Sequence, residues 1–149
     1  MICSVASPTV EHPVSLTVEE VETIHEDQIR RYGGAAGIRD RGLLESAVLA
    51  AQFASYYEGR DLLLLAATYM VRLIRNYPFV DGNKRTGVAA ARIFLQLNGV
   101  RLGGEDRYKR DLERLAIRVA ERRAGEEEVA TLLRKWATEQ APHPEQDAP

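Results

Sequence analysis

Residues 76–87 have the sequence Asn76-Tyr77-Pro78-Phe79-Val80-Asp81-Gly82-Asn83-Lys84-Arg85-Thr86-Gly87 and connect two long apolar helical patterns. Pro78 fixes its own φ and disfavours helical geometry at Tyr77, so the preceding helix should end near Asn76. The run 81–83 supplies turn-forming residues and a cap for the next helix. We therefore predict that residues 77–82, which we call the motif loop, lead into a helix N-terminus.

Two cations follow the motif loop. Lys84 and Arg85 lie in the first turn of the predicted helix, where the backbone N–H groups have no intrahelical partner. A helix N-terminus also carries partial positive charge, so it favours a bound anion. An isolated Lys-Arg pair more often belongs to a solvated helix face, but this position predicts an anion site. Phosphate is the expected anion.

Size and charge limit the class of protein. The chain has 149 residues and 45% hydrophobic content, which fits a single domain with an adequate core. Its net charge of −2, from 20 basic and 22 acidic residues, gives no overall electrostatic reason to bind nucleic acid or a membrane surface. The longest apolar run, 62–67, is too short to span a bilayer. We expect neither nucleic acid nor membrane as a partner.

Cysteine content and the N-terminal residues suggest the compartment. Cys3 is the only cysteine, which excludes an intramolecular disulfide and fits a reducing cytoplasm. The segment 1–6 has no basic region and no sustained apolar run, so it is a poor signal peptide. The expected localisation is cytoplasmic.

Helical periodicity dominates the sequence from residue 15 onward. Thr17 and Glu20 form a capping-box pattern, and Gly33-Gly34 should end this first helix. Asp40 is the expected cap of a second helix. Apolar patterns then predict a buried central helix over 62–76 and further helices over 83–97, 105–124 and 126–140. The sequence thus predicts an all-α, compact single-domain bundle of about six helices, with the motif loop between two central helices.

The flanking segments lack periodicity. Residues 1–14 are interpreted as an N-terminal arm, 15–140 as the domain, and 141–149, which hold three prolines, as a disordered C-terminal tail. Residues 52–60 also lose helical periodicity, so we interpret them as a loop or small hairpin. The basic residues of the 105–124 helix alternate with acidic ones and predict a solvated face.

The motif loop resembles a known family signature. Phe79, Asp81, Gly82, Asn83 and Arg85 match the Fic/Doc (Fido) pattern His-x-Phe-x-Asp/Glu-Gly-Asn-x-Arg. Lys84 before Arg85 and Thr86 after it resemble the Doc (death-on-curing) branch, and similar spacing extends over roughly residues 15–135. One position departs from the pattern, since Tyr77 stands where the family has its catalytic histidine.

The resemblance implies a fold, an activity and partners. Family members share a compact all-α bundle and transfer part of a nucleotide to a protein hydroxyl. Most Fic enzymes attach AMP, whereas Doc is a protein kinase that phosphorylates elongation factor Tu and halts translation. Lys84 favours phosphate transfer, because AMP-transferring members usually have a glycine there. The resemblance therefore implies a toxin of a toxin–antitoxin system that uses ATP and Mg²⁺, modifies a translation factor and is neutralised by a small antitoxin.

The resemblance also implies roles for the motif residues. Asp81 would hold Mg²⁺ through its hard carboxylate oxygens, although an isolated Asp here could equally be a plain helix N-terminal carboxylate. Gly82 and Asn83 would shape the nucleotide site, with Asn83 holding the loop and capping the helix. Lys84 and Arg85 would bind phosphate oxygens. Phe79 is expected to turn inward as an anchor, and residues 52–57 lie where the family has a strand-pairing flap.

Tyr77 makes the catalytic prediction conditional. A histidine takes a proton from a hydroxyl near neutral pH, whereas tyrosine, with an ordinary pKa of about 10, is protonated and makes a poor base. Loss of the base costs about 10²- to 10⁴-fold in rate. No other histidine can be placed there from the sequence, and His25 is expected to be a partly packed helix residue. We predict an attenuated or inactive enzyme that still binds ATP and Mg²⁺.

Three alternatives stay open. The chain could transfer AMP instead of phosphate, or it could be a catalytically dead paralogue that only binds nucleotide or a partner protein. The tyrosine could also have been introduced or selected, because an active toxin would kill its host.

Overall fold

Six helices make up the part of the chain that the computed structural model describes, residues 13–57 and 61–139. Within these ranges no strand forms, and the β-type backbone pairing is an isolated bridge between Ile38 and Phe79. The predicted all-α bundle of six helices is confirmed. The helices are α1 Val18–Tyr32, α2 Arg41–Tyr57, α3 Leu62–Asn76, α4 Asn83–Leu97, α5 Glu105–Ala120 and α6 Glu126–Glu139.

Helix α3 is the centre of the bundle. It packs against α2, α4, α5 and α6, while α1 packs against α4 and α2. Most of its side chains are buried because the sequence is apolar on nearly every side. Arg75 lies near its end and donates to the carbonyls of Val119 and Ala124, so α3 is tied to the α5–α6 connection. The prediction of a buried central helix is confirmed.

The N-terminal end of the described chain is held to the bundle. Thr17 and Glu20 form the predicted capping box at the start of α1, and Gly33 ends that helix. Val14, inside the predicted arm, exchanges two hydrogen bonds with the Asn98 side chain. Residues 1–12 and 141–149 lie outside the described residues, so the arm, the tail and the domain boundaries stay predictions.

The interpretation of residues 52–57 as a loop or hairpin is wrong. Helix α2 continues to Tyr57, and Ala51 and Ala54 extend its buried face. Its outer face carries Phe53 and Tyr56, which are exposed and obscure the amphipathic pattern. A flap that pairs by strand addition is also excluded over 52–57, because a helix uses its backbone hydrogen bonds internally. Residues 58–60 lie outside the described part.

Helices α5 and α6 also pack against α3. Arg110, Arg114 and Arg118 are exposed on α5, which confirms the predicted solvated face. This helix ends at Ala120, earlier than predicted, because the chain turns at Arg122 with a positive φ of 60°. Helix α6 packs mainly against α3 through its apolar face.

Close packing of α4 on α3 depends on Gly87. A Cβ atom at this position would lie 2.9 Å from Ile74 Cγ1 and 3.0 Å from the backbone oxygen of Met70. The carbonyl belongs to the central helix and cannot move as a flexible side chain does. The small residue therefore sets how closely α4, and with it the motif loop, approaches α3.

Gly87→Ala should lower the free energy of unfolding by about 1 kcal/mol or more. Overpacking costs about 1–3 kcal/mol, which exceeds the gain of about 0.5–1 kcal/mol from replacing a helical glycine. Gly42→Ala is the matched control, because its Cβ meets only Asp40 Oδ1 at 3.4 Å in the first turn of α2. Urea unfolding of both variants checks this, and equal stabilisation by both would show that the α3–α4 contact is loose.

Candidate functional site

The motif loop is fastened to the connection between α1 and α2. The amides of Arg39 and Asp40 both donate to the carbonyl of Pro78, at 2.6 and 3.0 Å. The amide of Val80 donates to the carbonyl of Gly37 at 3.0 Å, beside the Ile38–Phe79 bridge. Helix α3 stops at Asn76, as predicted, so the loop runs from the end of α3, along this connection, to the start of α4.

Phe79 anchors the middle of the loop. Its side chain is only 1% exposed and stacks on the ring of His25, with centroids 3.8 Å apart and ring planes 5° from parallel. The inward anchor predicted from the sequence is confirmed. His25 is itself 3% exposed and more deeply buried than the predicted partly packed residue.

His25 also fixes the end of the loop. Its Nε2 lies 2.7 Å from the carbonyl oxygen of Asp81. Because a carbonyl only accepts, Nε2 carries the proton and donates it. This role of His25 could not be predicted from the sequence, because nothing in the periodicity of α1 shows that His25 faces a loop 56 residues further along the chain.

Asn83 holds the loop but does not cap the helix. Its Oδ1 accepts from the amide of Phe79 at 2.9 Å, and its Nδ2 donates to the carbonyl of the same residue at 3.0 Å. The predicted cap at Asn83 is wrong: Gly82 occupies the N-cap position, with φ of 78°, and makes no side-chain cap bond. The first amides of α4 therefore lack a capping side chain, which leaves them available to an anion.

Asp81 points toward the end of α1. Its Oδ2 accepts from the amide of Ala35 at 3.1 Å, and its Oδ1 accepts from the amide of Gly82 at 2.8 Å. These bonds to Ala35 and Gly82 hold the pKa of Asp81 below its ordinary value, with smaller help from the charge of Arg85. The carboxylate is exposed and ionised at neutral pH, as a ligand of a divalent cation requires.

Gly34 makes this approach possible. A Cβ atom at Gly34 would lie 2.8 Å from Asp81 Oδ2 and 3.1 Å from Arg85 Nη2. Its φ of 117° is also one that side-chain-bearing residues rarely adopt. Asp81 and Arg85 can therefore contact the segment after α1 so closely only because residue 34 is a glycine.

The two cations after the loop have different surroundings. Lys84 is exposed, and its ammonium has no hydrogen-bond or ion-pair partner within residues 13–57 and 61–139. Arg85 donates to the carbonyls of Gln28 and Gly33, at 3.3 and 2.9 Å, and so binds the end of α1. Its guanidinium has five N–H donors, so further donors remain for an anion.

Tyr77 lies at the other end of the motif loop. It is 51% exposed and has left-handed backbone angles, φ 54° and ψ 51°. Its ring faces the Arg39 guanidinium, 5.6 Å from the ring centroid. Among the predicted site residues, Asp81 and Arg85 come together beside Gly34. Gly82 and Lys84 lie at the start of α4. Tyr77 is not part of this group and contacts Arg39.

Two features are absent from residues 13–57 and 61–139. No helix among them is both long and apolar enough to cross a membrane. No group of three or more His, Cys, Asp or Glu side chains in these ranges is arranged to hold a metal ion.

Comparison with known proteins finds clear relatives. Residues 15–95 match the Fic/DOC family. The chain is 39% identical over 88 residues to "Protein kinase doc" of Escherichia phage P1, a match that covers 58% of this chain and 70% of the relative. It is 45% identical over 78 residues to "Toxin Doc" of Mycolicibacterium smegmatis, covering 50% and 58% respectively. The family match includes the motif loop and the start of α4.

Proposed function

This chain belongs to the Fic/DOC family and has Doc toxin homologues, and we propose that it is built to transfer the γ-phosphate of ATP to a protein hydroxyl. The proposed target is a translation protein, elongation factor Tu, and the proposed biological role is that of a toxin in a toxin–antitoxin pair. Tyr77 at the position of the base leaves the chain with little or no transfer activity. Such a protein acts in the cytoplasm, where its target is found.

The uncapped start of α4 is the observation that carries this proposal. The uncapped amides, exposed Lys84 and Arg85 with its spare donors follow directly after Asp81 in the chain. The ionised carboxylate of Asp81 and the guanidinium of Arg85 both lie against Gly34. Cations and amides suit phosphate oxygens, and a single carboxylate suits a metal ion that is held partly by the phosphates themselves. The site therefore fits a nucleotide phosphate with its metal better than a neutral ligand.

The residues of the chain have distinct tasks in this proposal. The amides after Gly82 and the charge of Lys84 bind and orient the phosphates, and Arg85 on α4, held by the carbonyls of Gln28 and Gly33, adds a planar guanidinium. Asp81 offers its carboxylate to Mg²⁺, which when bound neutralises charge on the phosphates. Asn83 and Phe79 keep the loop in place.

The reaction also requires a proton acceptor. The oxygen of the target hydroxyl bonds to the γ-phosphorus while the bond from this phosphorus to the bridging oxygen of ADP breaks, and the hydroxyl proton leaves with a base. A histidine at position 77 is the expected base. With Tyr77 present, the site can bind and orient its substrates but cannot readily accept the proton.

Lys84 supports phosphate transfer over AMP transfer. It lies in the first turn of α4, beside the uncapped amides, and its side chain is exposed. A glycine in its place would let the α-phosphate come closer to the backbone. The lysine instead places a point charge beside the phosphate that is transferred.

A second candidate function follows from Tyr77. The chain could be a binding protein without catalysis, which uses the same phosphate site to hold a nucleotide and the bundle surface to hold a partner such as an antitoxin. The half-exposed tyrosine in the position of the base is the observation that favours it. In that case the chain would still bind nucleotide, and Tyr77→His would not produce phosphate transfer.

Nucleotide binding tests both candidates at the shared site. The chain should bind Mg²⁺-ATP, and Lys84→Ala should weaken binding roughly 10- to 100-fold, because a charge-assisted contact with phosphate is lost. Isothermal titration calorimetry measures this. Lys109→Ala, an exposed lysine on α5, is the control and should bind as the unmodified chain does. Absence of ATP binding, or equal weakening by both variants, would contradict the phosphate site.

A further inference from the structure

Arg39 contacts three successive residues where α3 gives way to the motif loop. Its Nε donates to the carbonyl of Tyr77 at 2.7 Å, and its Nη2 donates to the carbonyl of Asn76 at 3.1 Å. Its backbone amide donates to the carbonyl of Pro78. The guanidinium also faces the Tyr77 ring, 5.6 Å from the centroid. One side chain thus binds both the backbone and the ring of residue 77.

The backbone at this point needs support from outside the helix. The last carbonyls of α3 have no intrahelical partner, and a cation at a helix C-terminus interacts favourably with them. Tyr77 has a left-handed conformation, which is unfavourable for any residue with a Cβ atom. Such conformations persist only where the surroundings hold them. Arg39 supplies both the donors and the charge from the α1–α2 connection.

We propose that Arg39 is a positioning residue, which fixes the backbone and the side-chain direction at position 77 so that this side chain meets the reacting hydroxyl. The inference rests on the proposed phosphotransfer function. Within the described part of the chain, the contacts of Arg39 are with the end of α3 and with residues 77 and 78 of the motif loop. Substitution of Arg39 should therefore affect catalysis only when a competent base occupies position 77.

The electrostatic surroundings of position 77 make the contact measurable. Asp40 caps α2 beside Arg39, and Asp81 lies further along the motif loop. Lys84 is in the first turn of α4, and Arg75 on α3 binds the α5–α6 connection. Arg39 is the charged side chain that faces the ring itself. A unit charge at this distance in a water-like dielectric shifts a pKa by about 0.5. An imidazole placed there by Tyr77→His should therefore have a pKa lowered by Arg39.

Nuclear magnetic resonance titration of the imidazole at position 77 tests this contact without any enzymatic activity. In the Tyr77→His variant, Arg39→Gln should raise the pKa of the imidazole by about 0.5, whereas Arg39→Lys should leave it nearly unchanged because the charge remains. The signals of the native histidines are identified from the unmodified chain. Arg41→Gln is the matched control, since Arg41 pairs with Glu22 and Glu45 on the helices.

Kinetics of the same variants test the positioning. Both Arg39→Gln and Arg39→Lys should lower kcat about 10- to 100-fold in the Tyr77→His background, because neither reproduces the two-pronged bond to the α3 carbonyls. KM for ATP should stay unchanged, since the phosphate site is intact. Arg41→Gln should change neither constant. A purely structural role would lower the unfolding temperature but leave kcat as it was.

The outcomes separate this proposal from the proposed function. Unchanged kcat in both Arg39 variants, or an imidazole pKa that Arg39→Gln does not move, overturns the role of Arg39 while phosphotransfer stands. If the Tyr77→His parent transfers no phosphate, the proposed function fails; the titration then still decides whether Arg39 governs the environment of position 77.

Discussion

Tyr77→His should transfer phosphate from ATP to elongation factor Tu about 10²- to 10⁴-fold faster than the unmodified chain. The reason is that the substitution supplies a base of near-neutral pKa at position 77, where the proposed function places the proton acceptor. The phosphate site and the anchors of the loop need no change. Transfer of labelled γ-phosphate to the purified target measures the rate.

The control for this gain is Tyr77→Phe, which removes the hydroxyl without adding a base and should remain as slow as the unmodified chain. The mass of the modified target separates phosphate from AMP, and an AMP adduct would correct the assignment based on Lys84. An inactive Tyr77→His variant that still binds Mg²⁺-ATP would favour the binding-only candidate. Loss of growth on expression of Tyr77→His would in turn support the toxin role.

Phe79→Ala should destabilise the protein by about 3–5 kcal/mol, a large part of the total stability of a typical domain. The ring is buried, stacks on His25 and carries the backbone that Asn83 binds, so its removal leaves a cavity under the motif loop. The same substitution should weaken ATP binding, because the start of α4 would lose its fixed approach. Urea unfolding followed by circular dichroism measures the free energy.

Phe53→Ala is the matched control for this loss. Phe53 is 57% exposed on α2, so its removal should change the free energy of unfolding by about 0.5 kcal/mol or less. If Phe79→Ala were as mild as Phe53→Ala, the ring would not be the anchor of the loop. The contrast is informative because both changes remove the same side chain.

Several features of the fold could be predicted because they depend on neighbours in sequence. The capping box of Thr17 and Glu20, the stop before Pro78 and the glycine that ends α1 are local effects of backbone sterics and short-range hydrogen bonds. The pattern of α3, apolar on most sides, predicted its central place, since such a helix must be covered on most sides.

The errors arose where tertiary contacts outweigh local pattern. Residues 52–57 lack a clear apolar stripe because α2 exposes Phe53 and Tyr56, yet its inner alanines pack on the bundle and keep the helix. Asn83 has the residue type of a cap, but its side chain binds the backbone of Phe79 instead. Both outcomes depend on what lies opposite the residue in space.

The sequence by itself determined the family, the six helices and the identity of the motif residues, because periodicity, turn chemistry and the spacing of a short motif are properties of the chain alone. Only the tertiary structure decided how these residues are held. It brought His25 under the motif loop, Arg85 to the end of α1, and Arg39 to the carbonyls and ring of position 77. These partners lie 38 to 56 residues apart, and helix packing, which depends on the whole core, sets the distances between them.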